Sequence, residues 1–343
     1  MTLALLALAA AVIGALFWLR RTPRGPVSLI TGLVLKASAA AEGRDPTPRE
    51  VGPRRKRSEA HAALVAVRPG SGLLVDTVAI AGPGGPLSLR TYHLERREPS
   101  ALLLFLHGGG WVVGSAQASD PIALGLCERT GALVLSLDYR LAPEAPYPAA
   151  VEDCLAAWRW IEDRRTAGTL PAVPVFVAGD SAGGNLAAAL CIAARDRGLP
   201  LPAGQILWYP VTDLSRTDSP SYRLFEKGFL LDRADMEWFI SKYVPDIAQR
   251  ALPLASPLLA PDLSSLPPAL LFTAAFDVLR NEGEAYAARL REAGIEVEAR
   301  RMEGLVHGFA SMLRILPAAR RSLDEAASFI LRVARRALAS PSP

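Results

Sequence analysis

The sequence predicts an α/β fold built on a mainly parallel sheet with an antiparallel start. From Leu73 onward, short apolar runs alternate with longer stretches of helical pattern, as in a sheet whose crossover helices cover both faces. The first runs are joined instead by Gly82-Pro83-Gly84-Gly85, too short for the crossover that parallel strands need. A chain of 343 residues can hold one large domain plus a modest accessory region.

At the N-terminus, positions 2–19 carry no charge and are nearly all apolar. As a helix that run is about 27 Å long, just enough to cross a bilayer core. Trp18 stands where an interfacial anchor would, and Arg20, Arg21 and Arg24 follow at once. A secretory signal would carry its positive charge before the run, not after it. Residues 1–21 are therefore read as an apolar helix and membrane anchor, with the rest of the chain on the cytoplasmic side. A cleaved signal, giving export, and an apolar cap helix on a cytoplasmic protein are the alternatives. Between about 22 and 68 the chain is rich in Arg, Pro, Ala and Gly, with one apolar helical patch from Val27 to Ala41. The basic clusters Arg20–Arg24 and Arg54–Arg57 read as solvated segments flanking a helix, membrane contact being the better functional alternative.

Strands are predicted at 73–80, 86–94, 101–106, 132–138, 174–179, 204–209, 269–275 and 295–301, and helices near 119–130, 149–165, 183–197, 281–293 and 317–337. The stretch 212–250 interrupts this alternation with polar and aromatic residues, among them Tyr222, Phe225, Phe229, Trp238, Phe239 and Tyr243. It is expected to fold over the strand ends as part of a lid, its aromatics either shaping a pocket or packing the lid itself.

Chemistry concentrates in four places. Gly179-Asp180-Ser181-Ala182-Gly183 lies between an apolar strand and a helical run, the setting in which a serine hydroxyl is pushed out at the top of a sheet. Serine needs a base to take its proton, and the base needs an acid to hold its tautomer. With such an elbow the chain order is serine, acid, histidine. Of the histidines at 61, 93, 107 and 307, only His307 follows Ser181. Asp277 follows the strand 269–275 almost at once and is the favoured acid. Glu282 and Glu284 are rivals that the helix 281–291 is expected to turn to solvent. His107-Gly108-Gly109-Gly110-Trp111 follows the strand 101–106, and its bare glycine N–H groups suit a developing negative charge. Gly109, Gly110 and the N–H of Ala182 are the candidate oxyanion donors, with His107 structural.

These stretches, together with Asp138-Tyr-Arg-Leu-Ala-Pro-Glu144 and Tyr147-Pro-Ala-Ala-Val-Glu-Asp153, resemble the hormone-sensitive-lipase-like family of α/β-hydrolases, the bacterial class IV carboxylesterases. The resemblance covers roughly residues 70–335. It implies the α/β-hydrolase fold, an eight-stranded sheet flanked by helices with a helical cap, and the triad Ser181, Asp277 and His307. It also implies hydrolysis of short-to-medium acyl esters without a cofactor. On this reading 22–68 is an N-terminal cap region and 69–343 the catalytic domain, with a cap insertion at about 212–250. The bulk of Trp111 and the lid aromatics are expected to close a short acyl pocket. The chain departs from the family after the acid-bearing strand, where Asp277-Val278-Leu279-Arg280-Asn281-Glu282 lacks the usual proline and second aspartate. An amidase or deacetylase would use the same groups. A non-catalytic binding protein of this fold would be expected to have lost one of the three triad residues.

Composition narrows the partners. A formal charge of +4 is too small an excess for a nucleic-acid binder unless concentrated on one face. Cys127, Cys154 and Cys191 fall in apolar helical patterns and read as small buried side chains. The scattered histidines offer no metal-ligand pairing, so no metal is expected. The partner is a small-molecule ester, and a homodimer is left open.

Overall fold

The computed structural model describes residues 14–42 and 50–339. At its centre lie β1 (Leu73–Gly82), β2 (Gly85–Leu94), β3 (Leu102–Leu106), β4 (Leu133–Asp138), β5 (Val175–Asp180), β6 (Gln205–Trp208), β7 (Ala269–Phe276) and β8 (Val297–Val306). They form one sheet in the order β8-β7-β6-β5-β3-β4-β2-β1. β1 and β2 make an antiparallel hairpin and β2 runs antiparallel to β4, while every other pairing is parallel. Each of the eight predicted strands is present, and the antiparallel start falls where the short turn requires it.

The central strands are buried at nearly every position and mostly apolar, because helices cover both faces. In β5, Val175 and Val177 enter one core while Phe176 and Ala178 enter the other, the period-2 alternation of a strand. One face is covered by α4 (Ala149–Thr166), α5 (Ala182–Asp196) and α8 (Arg280–Glu292), which supply Trp158, Leu186 and Leu290. The other carries α3 (Asp120–Thr130) and α9 (Pro317–Ala339), which supply Leu126, Leu323 and Phe329. The cysteines are free thiols buried in these layers. Parallel pairing brings the carboxyl ends of β3, β5, β7 and β8 to one edge, where His107, Ser181, Asp277 and His307 follow.

Two further regions stand over that edge. The first contains a helical segment at 14–20, a ribbon pairing Arg21–Thr22 with Gly25–Pro26, α1 (Leu29–Glu42) and α2 (Val51–Val65). Gly32 packs so closely on the 14–20 segment that a Cβ there would stand 1.9 Å from the Leu19 carbonyl oxygen. Ser28 N–H donates to Gly304 O at 3.0 Å, tying α1 to β8. Residues 1–13 of the expected membrane anchor lie outside the described residues. Among the described residues no helix is long and apolar enough to cross a membrane. The apolar patch at 27–41 is α1 as expected.

The second region, in the 212–250 stretch, contains α6 (Pro220–Leu224) and α7 (Arg233–Tyr243), the latter opened by a capping box between Asp232 and Asp235. Its aromatics pack on one another and on the strand ends below: Phe225 meets Phe229 and Trp238 meets Phe239, while Phe225 and Phe229 also meet Phe276 and Tyr243 stacks on Trp111 at 4.3 Å.

Arg54 joins the two regions and corrects the reading of 54–57 as solvated. It is only 8 % exposed, pairs with Asp235 at 2.8 Å, and lies over the rings of Trp238 and Phe239 at 4.6 and 4.5 Å. Arg55 makes a two-pronged pair with Glu144 and donates to Val112 O and Ala142 O. A guanidinium can be taken into such a setting because its flat fork satisfies acceptors in the plane while its faces rest on aromatic rings.

Candidate active site

Ser181 sits between β5 and α5 with φ 55° and ψ −117°, a conformation that costs a non-glycine residue about 1–3 kcal/mol and is held only where the surroundings insist on it. Here they do. Ser181 N–H donates to Trp208 O at 2.9 Å, and its own carbonyl accepts from Asn185 N–H at 3.0 Å and Val211 N–H at 3.3 Å. The flanking glycines are steric necessities: a Cβ on Gly179 would lie 2.3 Å from Gly183 O, and one on Gly183 would lie 1.9 Å from Leu106 O.

The structure brings the predicted triad together. Ser181 Oγ lies 2.9 Å from His307 Nε2, and His307 Nδ1 lies 2.8 Å from Asp277 Oδ2. Asp277 is buried, and its other oxygen accepts from Leu279 N–H at 3.0 Å. Both imidazole nitrogens are thus engaged, one by a proton source and one by a carboxylate, the arrangement in which imidazole can accept the hydroxyl proton. His307 follows β8 and precedes Gly308 at φ 77°, and the Tyr209 ring packs on it at 4.6 Å. Tyr209 also accepts from Ala310 N–H at 3.3 Å, bracing the loop. Nothing in the sequence singled out Tyr209, because its place behind the histidine depends on how β6 and the β8 loop meet.

Neither rival carboxylate reaches His307. Glu284 makes a two-pronged pair with Arg301. Glu282 overturns the expectation of solvent exposure: it is 6 % exposed and its Oε1 accepts from Thr212 N–H at 2.7 Å and Asp213 N–H at 3.3 Å. Burial pushes its carboxyl well above the usual range. The reason is helical period, since Glu282, Tyr286 and Leu290 share the buried side of α8.

Gly109 and Gly110 follow β3 at φ 118° and 58°, a region that glycine enters freely. Their N–H groups and that of Ala182, first residue of α5, donate to no other described residue. Gly108 N–H donates to Asp180 Oδ1 at 2.9 Å, fastening this loop to the elbow. Asp180 keeps some surface in the cavity, yet the protein around it desolvates the carboxyl and pushes it up to about 6, against the opposing pull of the Gly108 N–H. His107 is structural as expected: it is buried, stacks on Tyr139 at 4.2 Å, and burial holds its pKa below the ordinary value. Trp111 corrects the expectation of a pocket wall. It stands behind the loop against Tyr243, fully buried.

Ser181, His307, Gly109 and Gly110 face a cavity of about 390 Å³. Its outer wall comes from the two overlying regions: Ser38, Arg54 and His61 from α1 and α2, and Met236 and Phe239 from α7. Of the six lid aromatics singled out in the sequence, Phe239 is the one on the wall, and its ring leaves no room for a Cβ at Gly110.

A family profile described as alpha/beta hydrolase fold matches residues 103–311. Among curated proteins, the carboxylic ester hydrolase LipN of Mycobacterium tuberculosis is 44% identical over 268 residues, covering 75% of this chain and 71% of LipN. An ethyl acetate hydrolase of Pseudomonas putida is 36% identical over 274 residues, covering 78% of this chain and 86% of that protein. Among solved structures, a thermostable esterase from Pseudomonas putida ECU1011 superposes with a TM-score of 0.84 at 32% identity, covering 92% of this chain and 98% of that one.

Proposed function

The chain belongs to the alpha/beta hydrolase fold family, in its hormone-sensitive-lipase-like branch, and on that premise we propose that it is a serine carboxylesterase acting through an acyl-enzyme. The observation that carries this reading is the continuous hydrogen-bonded line from Ser181 Oγ through His307 to Asp277, opening on a cavity that also exposes the glycine loop. Names of relatives as ester hydrolases favour an ester over an amide.

In the proposed reaction Ser181 Oγ attacks the ester carbonyl carbon as its proton passes to His307 Nε2. Asp277 stabilises the resulting imidazolium and holds its Nδ1–H in place. The carbonyl oxygen becomes an oxyanion and accepts from the N–H groups of Gly109, Gly110 and Ala182, which are fixed before the charge develops. Collapse expels the alcohol, which leaves with the proton from Nε2. Water then attacks the acyl-enzyme by the same route, releasing the acid and restoring Ser181.

A cavity of about 390 Å³ lies at the small end of ligand sites, which run from about 300 to 1,000 Å³. With Phe239 against the glycine loop, this supports short-to-medium acyl groups. The apolar run at 2–19 and the arginines after it support membrane association of the N-terminal region. The test of the reading is hydrolysis of aryl esters of graded acyl length by wild type and Ser181→Ala. Butyryl esters should turn over faster than palmitoyl esters, and the variant should lose about four or more orders of magnitude in kcat. Activity of Ser181→Ala within tenfold of wild type would remove the serine mechanism.

A further inference from the structure

The N-terminal region and the α6–α7 connection build a second surface next to elements that wall the catalytic cavity. A groove of about 410 Å³ runs between the 14–24 segment, α1 and residues 223–229. Around it Phe17 and Trp18 are 70 % and 59 % exposed, and Leu16, Leu33 and Leu224 are exposed as well. Burying such side chains is favourable in proportion to their area, so an exposed group of them marks a contact surface. The groove itself is lined by Arg21, Arg24, Lys36, Arg223 and Lys227, against one acidic residue, Glu226. Lys36 lies over the Trp18 ring at 4.6 Å, so the cationic and apolar parts interleave.

An apolar face rimmed by one sign of charge fits an anionic bilayer surface. The rings and leucines enter the headgroup boundary while the lysines and arginines meet the lipid phosphates. We infer that this face docks the protein on anionic membranes; the inference rests on the membrane association proposed for the N-terminal region and makes it a surface contact rather than a span. Charge complementarity decides the occupant: a second copy of the chain would set the same cationic rim against itself. The orientation has a consequence for substrate. Ser38 of α1, together with Leu230 and Leu231 next to the groove-lining Phe229, belongs to the catalytic cavity wall. A docked molecule would hold that cavity beside the lipid, within reach of apolar esters dissolved there.

The experiment is flotation of the full chain with phosphatidylcholine vesicles containing or lacking about a third phosphatidylglycerol. Wild type is compared with the triple variant Arg21→Glu, Arg24→Glu, Lys227→Glu and with Phe17→Ser/Trp18→Ser. Each basic residue near an anionic surface contributes about fivefold to binding, so losing three weakens it roughly 100-fold and the triple reversal should weaken it by at least that much. Wild type should bind anionic vesicles far better than neutral ones and be released by 1 M salt, as surface attraction is screened. The Phe17→Ser/Trp18→Ser variant should bind weakly in every condition. Hydrolysis of a water-soluble ester, measured alongside, should be unchanged in both variants, showing that the fold is intact. Equal binding to neutral and anionic vesicles, or binding that survives the charge reversals, would overturn the inference. So would a dimer in sedimentation that the Phe17→Ser/Trp18→Ser change dissociates while wild type ignores vesicles, since that assigns the face to a second copy.

Discussion

The elbow at 179–183 and the helices α1 and α2, the proposed cap, both face the same cavity, yet they are built on different principles. The elbow is fixed through backbone, its own and that of the neighbouring β3 and β6 segments. Gly179 and Gly183 have contacts that no other residue could make, and Ser181 is held in a strained conformation by three backbone hydrogen bonds. The cap is fixed from outside. α2 presents no apolar stripe, and what holds it in place is a set of guanidinium contacts, Arg54 to Asp235 and Arg55 to Glu144, reaching to residues far along the chain. The elbow is thus set by backbone packed at the strand ends, while the helices above the cavity are attached through side chains.

Substitutions in the triad should be the most damaging. Asp277→Asn should lower kcat by about four orders of magnitude, because the amide favours the wrong imidazole tautomer. Glu282→Gln should cost far less, since a glutamine oxygen can still accept from Thr212 and Asp213. Steady-state kinetics on one soluble ester decides between them, and the reverse ranking would make Glu282 the acid.

Arg54→Ala tests the cap. Its pair with Asp235 is 10 % and 14 % exposed at the two side chains, so removal should destabilise by about 2 kcal/mol, below the ~3–5 kcal/mol of a fully dry pair. In thermal unfolding the loss should persist in Arg54→Lys, because an ammonium lacks the planar fork that rests on Trp238 and Phe239. The variant should also change the ratio of kcat/KM between butyryl and longer esters while leaving the triad able to turn over. If Arg54→Ala abolished turnover of every ester, the separation between cap and elbow would collapse.

A titration at Asp180, between the glycine loop and Ser181, tests the elbow without altering the triad. Burial raises the Asp180 carboxyl to about 6, above the ~3.9 of an exposed aspartate. The fold therefore favours the protonated form. The stability this contributes is complete below about pH 4 and is lost as pH rises to about 6. Asp180→Asn keeps an oxygen for the Gly108 N–H but does not titrate. The difference in unfolding free energy between wild type and variant should move against wild type across that window and be flat above it. A difference that is flat from pH 4 to 7 would place the carboxyl in an ordinary setting.

What the sequence made legible follows the same division. The strands stood out because central parallel strands are buried on both faces and almost wholly apolar, as in Leu102–Leu106 and Ala269–Phe276. Ser181, Asp277, His307 and the glycine pair were legible because each needs a particular residue beside a strand end. Glu282 was misjudged although the signal was present: its spacing of four from Tyr286 and eight from Leu290 places it on the buried side of α8. α2 was placed over the cavity only by the family resemblance, as part of the cap region 22–68, and not by its own residues, since its burial rests on arginines whose partners lie 89 and 181 positions away. Trp111 was assigned to the pocket by proximity in sequence, whereas its backbone at φ 60° turns it behind the loop. The departure at Asn281 has a local answer in the fold, its side-chain oxygen accepting from Ser221 N–H at 2.6 Å to tie α6 to α8.

The central claim is that one serine, activated through His307, forms the covalent intermediate. The most direct measurement is peptide mass mapping after reaction with an organophosphate ester, on wild type and on His307→Ala. The account predicts a single stoichiometric adduct on Ser181 in wild type and labelling slowed by orders of magnitude in His307→Ala, where the hydroxyl has no base. An adduct on another residue, or labelling of Ser181 at the same rate without His307, would contradict it.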